Sequence, residues 1–228
     1  MALTETWLKG HTQAELNIEG YKLYRADRKG RKHTRGRYSG GAALYLRGDI
    51  ADTTEKVLDY SNGVVETLAV YSERENLVVC VIYRQPDDPV GQHQSKAYQL
   101  SQAISKIENM LEELQGTPNI IFCGDFNIPN TNWSEEVEPD RSKDNSLAAV
   151  IKSFQTKYLL NQMVYKPTHK SGNILDLIFT NNKQLFNEIH VIPTTHSDHH
   201  IIEVATHFKS HFSRAQKTIR HSQTLLIL

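Results

Sequence analysis

Residues 119–127 read Asn-Ile-Ile-Phe-Cys-Gly-Asp-Phe-Asn, an apolar run that ends in two polar side chains. A nearly all-apolar run of this length is typical of a strand that is covered on both faces. Asp125 and Asn127 are two positions apart, so they point the same way, with Phe126 on the opposite side. The stretch therefore predicts a buried strand that presents two polar groups at its end. The alternative is that Gly-Asp-Phe-Asn forms only a turn.

The sequence around this run alternates strand-like and helix-like segments. Short β-branched and aromatic runs separated by Gly, Asp and Asn predict strands. Residues 94–114 carry apolar side chains at three- and four-residue spacing, which predicts an amphipathic helix, and a second helix is predicted over 146–158. The pattern indicates helices interleaved with a mainly β core. The predicted strands span residues 21–25, 42–46, 64–71, 77–83, 119–124, 175–180, 188–192 and 200–207.

Charge is balanced over the chain but uneven along it. Lysine plus arginine and aspartate plus glutamate each number 26, so the net charge is zero. The segment from Arg25 to Arg37 nevertheless holds seven basic residues and one acid, Asp27. Such a segment can dock on backbone phosphates, so we expect DNA as a partner, bound through this segment and the active-site face. A solvated surface loop is the alternative.

Length and composition favour one folded domain. Apolar residues make up 39% of the 228 residues, and we expect a domain over residues 1–207 followed by a basic tail or truncated linker over 208–228. The apolar runs are shorter than the roughly 20 residues of a spanning helix, and the N-terminus lacks the pattern of a secretory signal. We therefore expect no membrane segment and an intracellular location, nuclear if genomic DNA is the substrate. Cys80 and Cys123 are expected to be core thiols.

A second acidic residue interrupts an apolar run. Asp176 lies within residues 174–179, where an ionised carboxylate is costly to bury without a partner. Because an Asp-His pair fixes the imidazole tautomer and raises its basicity, we predict that Asp176 and His199 form a general-base unit. The alternatives are a satisfied cap or turn for Asp176, solvated surface for the histidines, or a zinc site from His196, His199 and His200.

Three further residues are candidates for the same site. Glu5 and Asp198 offer carboxylate oxygens, which suit Mg²⁺ or Mn²⁺. Tyr83 closes the apolar run 79–82 and can present its hydroxyl to a phosphate. The alternatives are a helix start at Thr4-Glu5 and a core or rim position for Tyr83.

Taken in order, these motifs resemble those of the endonuclease/exonuclease/phosphatase superfamily, and they are most similar to the endonuclease domain of non-LTR retrotransposons. The resemblance implies a DNase I-like, four-layered α/β/β/α sandwich over residues 1 to 207. The motifs are Leu-Thr-Glu-Thr-Trp-Leu (3–8), Gly40-Gly41, Val-Ile-Tyr-Arg-Gln-Pro (81–86), Cys-Gly-Asp-Phe-Asn (123–127), Ile-Leu-Asp-Leu-Ile-Phe-Thr-Asn (174–181) and His-Ser-Asp-His-His (196–200).

The resemblance implies how metal and phosphate are bound. Glu5 would be a metal ligand, with Asp198 close to the metal or its waters. Tyr83 would contact the scissile phosphate, and Asn127 would hold one of its oxygens. The implied cofactor is Mg²⁺ or Mn²⁺.

The resemblance also implies the acid/base groups. Asp125 would position or deprotonate the attacking water, and His199, oriented by Asp176, would be the second acid/base group. The sequence leaves open whether Asp125 or His199 is the base.

The chain departs from the family pattern at its N-terminus. Family members begin with a strand that carries an Asn near the metal, whereas here Met1 lies four residues before Glu5. We therefore expect a sandwich that lacks its first strand and is less active than a version extended with it. The expected function is metal-dependent endonucleolytic hydrolysis of DNA. The alternatives are a phosphatase on small or lipid phosphates and a catalytically weak or inactive remnant, and no oligomeric state is predicted.

Overall fold

The computed structural model describes residues 1–8, 10–12, 14–29, 39–86, 93–133, 146–206 and 223–227. The helices in this part of the chain are α1 (Gly48–Ala51), α2 (His93–Glu113) and α3 (Ser146–Lys157), with one 3-10 turn at Lys183–Leu185. The strands are β1 (Ala2–Thr4), β2 (Tyr21–Ala26), β3 (Ala42–Arg47), β4 (Thr54–Ser61), β5 (Val65–Ser72), β6 (Leu77–Arg84), β7 (Asn119–Asp125), β8 (Asn161–Gln162), β9 (Asp176–Thr180), β10 (Phe186–Ile192), β11 (Ile201–Thr206) and β12 (Gln223–Ile227).

The described strands form two sheets of six. The first sheet has the order β10-β11-β12-β1-β3-β2, and the second has the order β4-β5-β6-β7-β9-β8. In the second sheet β6 and β7 run parallel, and β7 and β9 run antiparallel. In the first sheet β12 runs parallel to β1 and antiparallel to β11. Residues 223–227, within the stretch predicted as a tail, thus contribute a strand to the first sheet.

The two sheets pack face to face around an apolar core. Leu44 of the first sheet and Val81 of the second belong to this shared core. On the other face of the second sheet, Ile107 of α2 and Phe154 of α3 pack with Phe122 of β7. The outer face of the first sheet is covered, in the described part of the chain, by apolar residues that include Leu8 and Leu16. The prediction of an α/β sandwich with two packed sheets is confirmed.

The central strand β7 has the environment that its sequence predicts. Ile121 and Cys123 belong to the core between the sheets, whereas Phe122 belongs to the core beneath the helices. The strand is therefore covered on both faces, which explains its nearly continuous apolar sequence. Cys80 and Cys123 are free and buried, as expected of core thiols. No helix among the described residues has both the length and the apolar character needed to cross a membrane.

Candidate active site

In the second sheet, the C-terminal ends of β6 and β7 lie beside the N-terminal end of β9, and each of the three strands places a polar residue there. Tyr83 is paired with Asp125 between β6 and β7, and Asp125 is paired with Asp176 between β7 and β9. Directly paired residues in a sheet lie about 4.5–5.5 Å apart between Cα atoms. All three residues are buried, with 2 or 3% of their surface exposed. The register of the sheet thus collects two carboxyl groups and one phenol at one place.

The loop after β7 folds Asn127 back onto Asp125. Asn127 has a positive φ of 48°, and its backbone N–H donates to Asp125 Oδ1 at 2.9 Å. Its side-chain Nδ2 donates to Asp125 Oδ2 at 2.6 Å and to the carbonyl of Arg84 at 2.8 Å. Both carboxylate oxygens of Asp125 are therefore held. Because both Nδ2 hydrogens are used, Asn127 would have to release one partner in order to bind a phosphate oxygen.

A buried guanidinium supports the same loop. Arg84 is fully buried at the end of β6, where its Nε donates to the carbonyl of Phe126 at 2.7 Å. Its Nη2 donates to the carbonyl of Asn127. These bonds fix the backbone that carries Asp125 and Asn127. Arg84 was not among the residues predicted for the site, although an arginine at the end of an all-apolar strand is a recognisable signal.

The predicted contact between Asp176 and His199 is present. His199 Nδ1 lies 2.8 Å from Asp176 Oδ2, and His199 Nε2 faces Asp125 Oδ2 at 3.9 Å. Partial burial lowers the pKa of His199, but the hydrogen bond and charge of Asp176, followed by the charge of Asp125, raise it overall to about 9. In the absence of a bound cation, His199 is therefore protonated at neutral pH.

The two buried acids and the phenol share one electrostatic environment. Burial, followed by the charge of Asp176, raises the pKa of Asp125 well above its usual value. Burial, followed by the charges of Glu5 and Asp125, also raises the pKa of the Tyr83 hydroxyl. The phenol thus stays protonated and can donate a hydrogen bond, and Glu5 is one of its partners.

Glu5 borders this cluster at Tyr83, and Asp198 borders it at His199. Glu5 follows β1 in an exposed loop at φ 51°, and the next residues are held by hydrogen bonds to Gly40 and Gly41. Asp198 is largely exposed and lies 3.3 Å from His169 Nε2. The alternative of a helix start at Thr4-Glu5 is excluded, since β1 ends at Thr4.

Two groups of described residues bring three candidate metal ligands within 4.8 Å of one another. One group is Asp125, Asp176 and His199, and the other is His169, Asp198 and His199. Neither group contains His196 or His200, so the zinc site considered from the sequence is not assembled. Neither group contains Glu5, so Glu5 and Asp198 do not lie together in one of these groups. Their role as metal ligands stays a prediction.

The donor set fits a hard cation. Asp125 is buried next to Asp176, and its pKa is raised first by burial and then by the negative charge of Asp176. A divalent cation bound beside these carboxylates would relieve that repulsion, and oxygen donors are the ligands that Mg²⁺ and Mn²⁺ prefer.

Part of the basic segment is committed to internal partners. Arg25 forms an ion pair with Asp27, and Arg28 forms a two-point contact with the fully buried Glu66 at 2.9 Å. Lys29 has an exposed side chain, 3.5 Å from Asp59. The positions Arg31, Lys32, Arg35 and Arg37 lie outside the described residues. Arg25 and Arg28 therefore serve the fold rather than offering free charge for phosphates.

Comparison with known sequences decides the family. The profile of the family described as "Endonuclease-reverse transcriptase" matches residues 77–203, which include Tyr83, Asp125, Asp176 and His199. The chain belongs to this family. A search of curated proteins gave no match.

Solved structures show that this endonuclease-reverse transcriptase family member has a DNase I-like fold. The human Nocturnin catalytic domain with bound sulfate anion is 17% identical at a TM-score of 0.56, with 87% of this chain and 76% of that chain covered. AP endonuclease LMAP from Leishmania major is 13% identical at a TM-score of 0.56, with 87% of this chain and 75% of that chain covered. The Xenopus laevis APE2 catalytic domain is 16% identical at a TM-score of 0.55, with 90% of this chain and 82% of that chain covered. At these identities the likeness establishes the fold.

Proposed function

We propose that this chain hydrolyses phosphodiester bonds in DNA as a Mg²⁺- or Mn²⁺-dependent endonuclease of retrotransposon origin. The observation that carries the proposal is the register that aligns Tyr83, Asp125 and Asp176 at one end of the second sheet, with His199 bonded to Asp176. Membership of the endonuclease-reverse transcriptase family and the likeness to the AP endonuclease LMAP support the same chemistry.

Glu5 and Asp198 would hold the cation in this proposal, with Asp125 close to it. The cation would neutralise charge that develops on the phosphate during attack. Tyr83 donates its hydroxyl hydrogen to a phosphate oxygen, because its raised pKa keeps the phenol neutral. Asn127 contributes by holding Asp125, and it binds a phosphate oxygen only after releasing one of its present partners.

Asp125 and His199 divide the proton transfers. Asp125 has both oxygens fixed by Asn127, so it is preorganised to orient the attacking water and to take up its proton. His199 carries a proton at neutral pH and presents Nε2 to the region beside Asp125. We assign His199 as the acid that protonates the leaving oxygen, with Asp176 holding its ring.

The basic segment would contribute to DNA binding through residues other than Arg25 and Arg28. Neutralising Arg31 and Lys32 should flatten the dependence of log K on log salt by roughly one unit for each phosphate that the variant no longer neutralises. Arg74, in the β5–β6 turn, is a matched control, because it lies at the opposite end of β6 from Tyr83. An unchanged slope in the Arg31/Lys32 variant would show that these two residues do not contact DNA phosphates, as expected of a solvated surface loop.

A substrate panel tests the proposed class of substrate. The chain is incubated with Mg²⁺ and supercoiled plasmid, and in parallel with inositol phosphates and phosphoinositide vesicles. We expect plasmid nicking and no phosphate release from the small and lipid substrates. Phosphate release without nicking would identify a phosphatase, and activity on none of the substrates would identify an inactive remnant.

A further inference from the structure

A histidine outside the predicted site contacts two of its residues. His169 lies in the turn before β9, and its Nε2 is 3.3 Å from Asp198 Oδ2. Its ring packs edge to face against the ring of His199, with 4.9 Å between the centroids. The side chain of Asp198 is 71% exposed, whereas that of His169 is 21% exposed. The better-packed partner of this pair is thus the histidine.

Hydrogen bonds determine which nitrogen of His169 carries the proton. The backbone N–H of Ser171 donates to His169 Nδ1 at 3.0 Å. Ser171 Oγ lies 2.7 Å from the same nitrogen and accepts from Asn173 Nδ2 at 2.9 Å, which leaves its hydroxyl hydrogen for Nδ1. Nδ1 is therefore an acceptor. The proton of the neutral ring lies on Nε2, the nitrogen that is 3.3 Å from Asp198 Oδ2.

His199 has the opposite arrangement. Its Nδ1 is next to Asp176 Oδ2, so that nitrogen holds a proton and Nε2 faces the site. The two neighbouring rings therefore have different partners. His199 has its Nε2 at the reaction site, whereas His169 has its Nε2–H beside Asp198.

The backbone fixes the turn relative to Asp198. The N–H of Lys170 donates to the carbonyl of Asp198 at 2.9 Å, and the N–H of His200 donates to the carbonyl of Thr168 at 2.7 Å. Thr168 is fully buried, and its Oγ1 accepts from the backbone N–H of Asp176 at 3.0 Å. The turn therefore ties the segment of Asp198 to the strand of Asp176, and His169 moves with both.

We propose that His169 is a positioning residue that holds the Asp198 carboxylate in one rotamer through its Nε2–H. This inference rests on the proposed function, in which Asp198 helps to bind the cation. The competing interpretation is that His169 is itself a metal ligand. It requires a lone pair on Nε2 and hence a proton on Nδ1, where the Ser171 N–H already points.

The test compares two substitutions of His169 with a matched control. His169→Phe keeps a ring against His199 but removes the donor, whereas His169→Gln keeps an N–H donor. His190→Phe is the control, because His190 also contacts a carboxylate, that of Glu188, but on strand β10. Binding of Mn²⁺ to the free protein is measured by electron paramagnetic resonance. Nicking rate is measured as a function of Mn²⁺ concentration.

Removal of the donor should weaken cation binding without lowering the rate at saturating cation. We expect Mn²⁺ affinity to fall about 10- to 100-fold in His169→Phe, the usual effect of removing a partner of a metal ligand. His169→Gln should recover most of the affinity, and His190→Phe should match the wild type. Unchanged affinity in His169→Phe, or no recovery in His169→Gln, would overturn the proposal.

A second readout tests the hydrogen bond without any activity. Nitrogen-15 NMR of the histidine rings, recorded about two pH units above the ordinary imidazole pKa of about 6.5, distinguishes the two tautomers. We expect His169 to be protonated at Nε2 with and without Mg²⁺. A proton on Nδ1, or Mg²⁺ bound directly to Nε2, would contradict the positioning role. Failure of the wild type to nick DNA would refute the proposed function and leave this measurement decisive for His169.

Discussion

His199 and Asp176 join two segments that are 23 positions apart in the chain. Without its carboxylate partner the imidazole would lose both its orientation and its raised pKa. His199→Ala should therefore lower the nicking rate by about 10² to 10⁴, the usual contribution of a positioned acid/base group. Asp176→Asn should have the same effect more mildly, and His190→Ala should have none. An unchanged nicking rate in His199→Ala would contradict the assignment of this residue as the acid.

The raised pKa of His199 also makes stability depend on pH. Its pKa rises from 6.5 to about 9 on folding, so its stabilising contribution is complete below about 6.5 and disappears as the pH rises through about 9. In EDTA, the wild type should melt at a higher temperature than His199→Gln, and this difference should be largest near pH 6.5. The difference should shrink towards pH 9. A difference that is constant or grows with pH would contradict the shift.

The sequence predicted the residues of the site that belong to short local motifs. Asp125, Asp176 and His199 stand out because each interrupts or borders an apolar strand. Arg84 and His169 act through backbone carbonyls and a distant carboxylate, and these contacts depend on how remote segments meet. The position of Arg84 at the end of an apolar strand marks it in the sequence, but no local pattern identifies the carbonyls and the carboxylate that these two residues contact.

At the scale of elements, the close approach of β6 and β7 determines where Asp125 lies. Gly124 is paired with Ile82 at φ 137°, and a Cβ added there would lie 1.9 Å from the carbonyl oxygen of Ile82. Gly124→Ala should therefore destabilise the fold by about 3 kcal/mol or more. At Gly63 a Cβ would meet nothing within 4 Å, so Gly63→Ala should cost only the backbone strain of about 1–2 kcal/mol.

Chemical denaturation of the two glycine variants provides the measurement. Similar decreases in unfolding free energy would show that β6 and β7 can separate without cost. The position of Asp125 beside Tyr83 would then not depend on this contact.

Strands with apolar or alternating sequences were predicted, and strands without such patterns were not. All eight predicted strands and both predicted helices are present, with bounds shifted by a few residues. The strand β4 was missed, because this edge strand leaves its polar positions in solvent and lacks a continuous apolar signal. The strands β1, β8 and β12 were missed because they are short and depend on pairing with remote partners.

At the scale of the whole molecule, β12 joins the two ends of the described chain. It pairs with β11 on one side and with β1, which leads to Glu5, on the other. Removing residues 223–228 should expose unpaired backbone on both neighbours and loosen β1. We expect the melting temperature to fall by more than about 4 °C, since 1 kcal/mol corresponds to about 2–4 °C for a domain of this size. The Mn²⁺ concentration for half-maximal nicking should also rise.

The N-terminal strand that the family pattern predicts would precede β1 in the chain. A fusion that adds an N-terminal strand from a complete homologue should restore stability and nicking to the variant without residues 223–228. Replacing 223–227 by Gly and Ser, at unchanged length, separates the effect of the strand from the effect of chain length. Equal melting temperatures for the wild type and the truncated variant would show that β12 contributes nothing to the sheet.

The central claim is that the residues aligned on β6, β7 and β9 cleave DNA with the help of a bound cation. The most direct measurement is the conversion of supercoiled plasmid to open circles by the wild type and by Asp125→Asn, each in Mg²⁺ and in excess EDTA. We predict nicking by the wild type in Mg²⁺ alone and a rate at least about 10²-fold lower for Asp125→Asn. Equal rates for the two proteins, or full activity in EDTA, would contradict the claim.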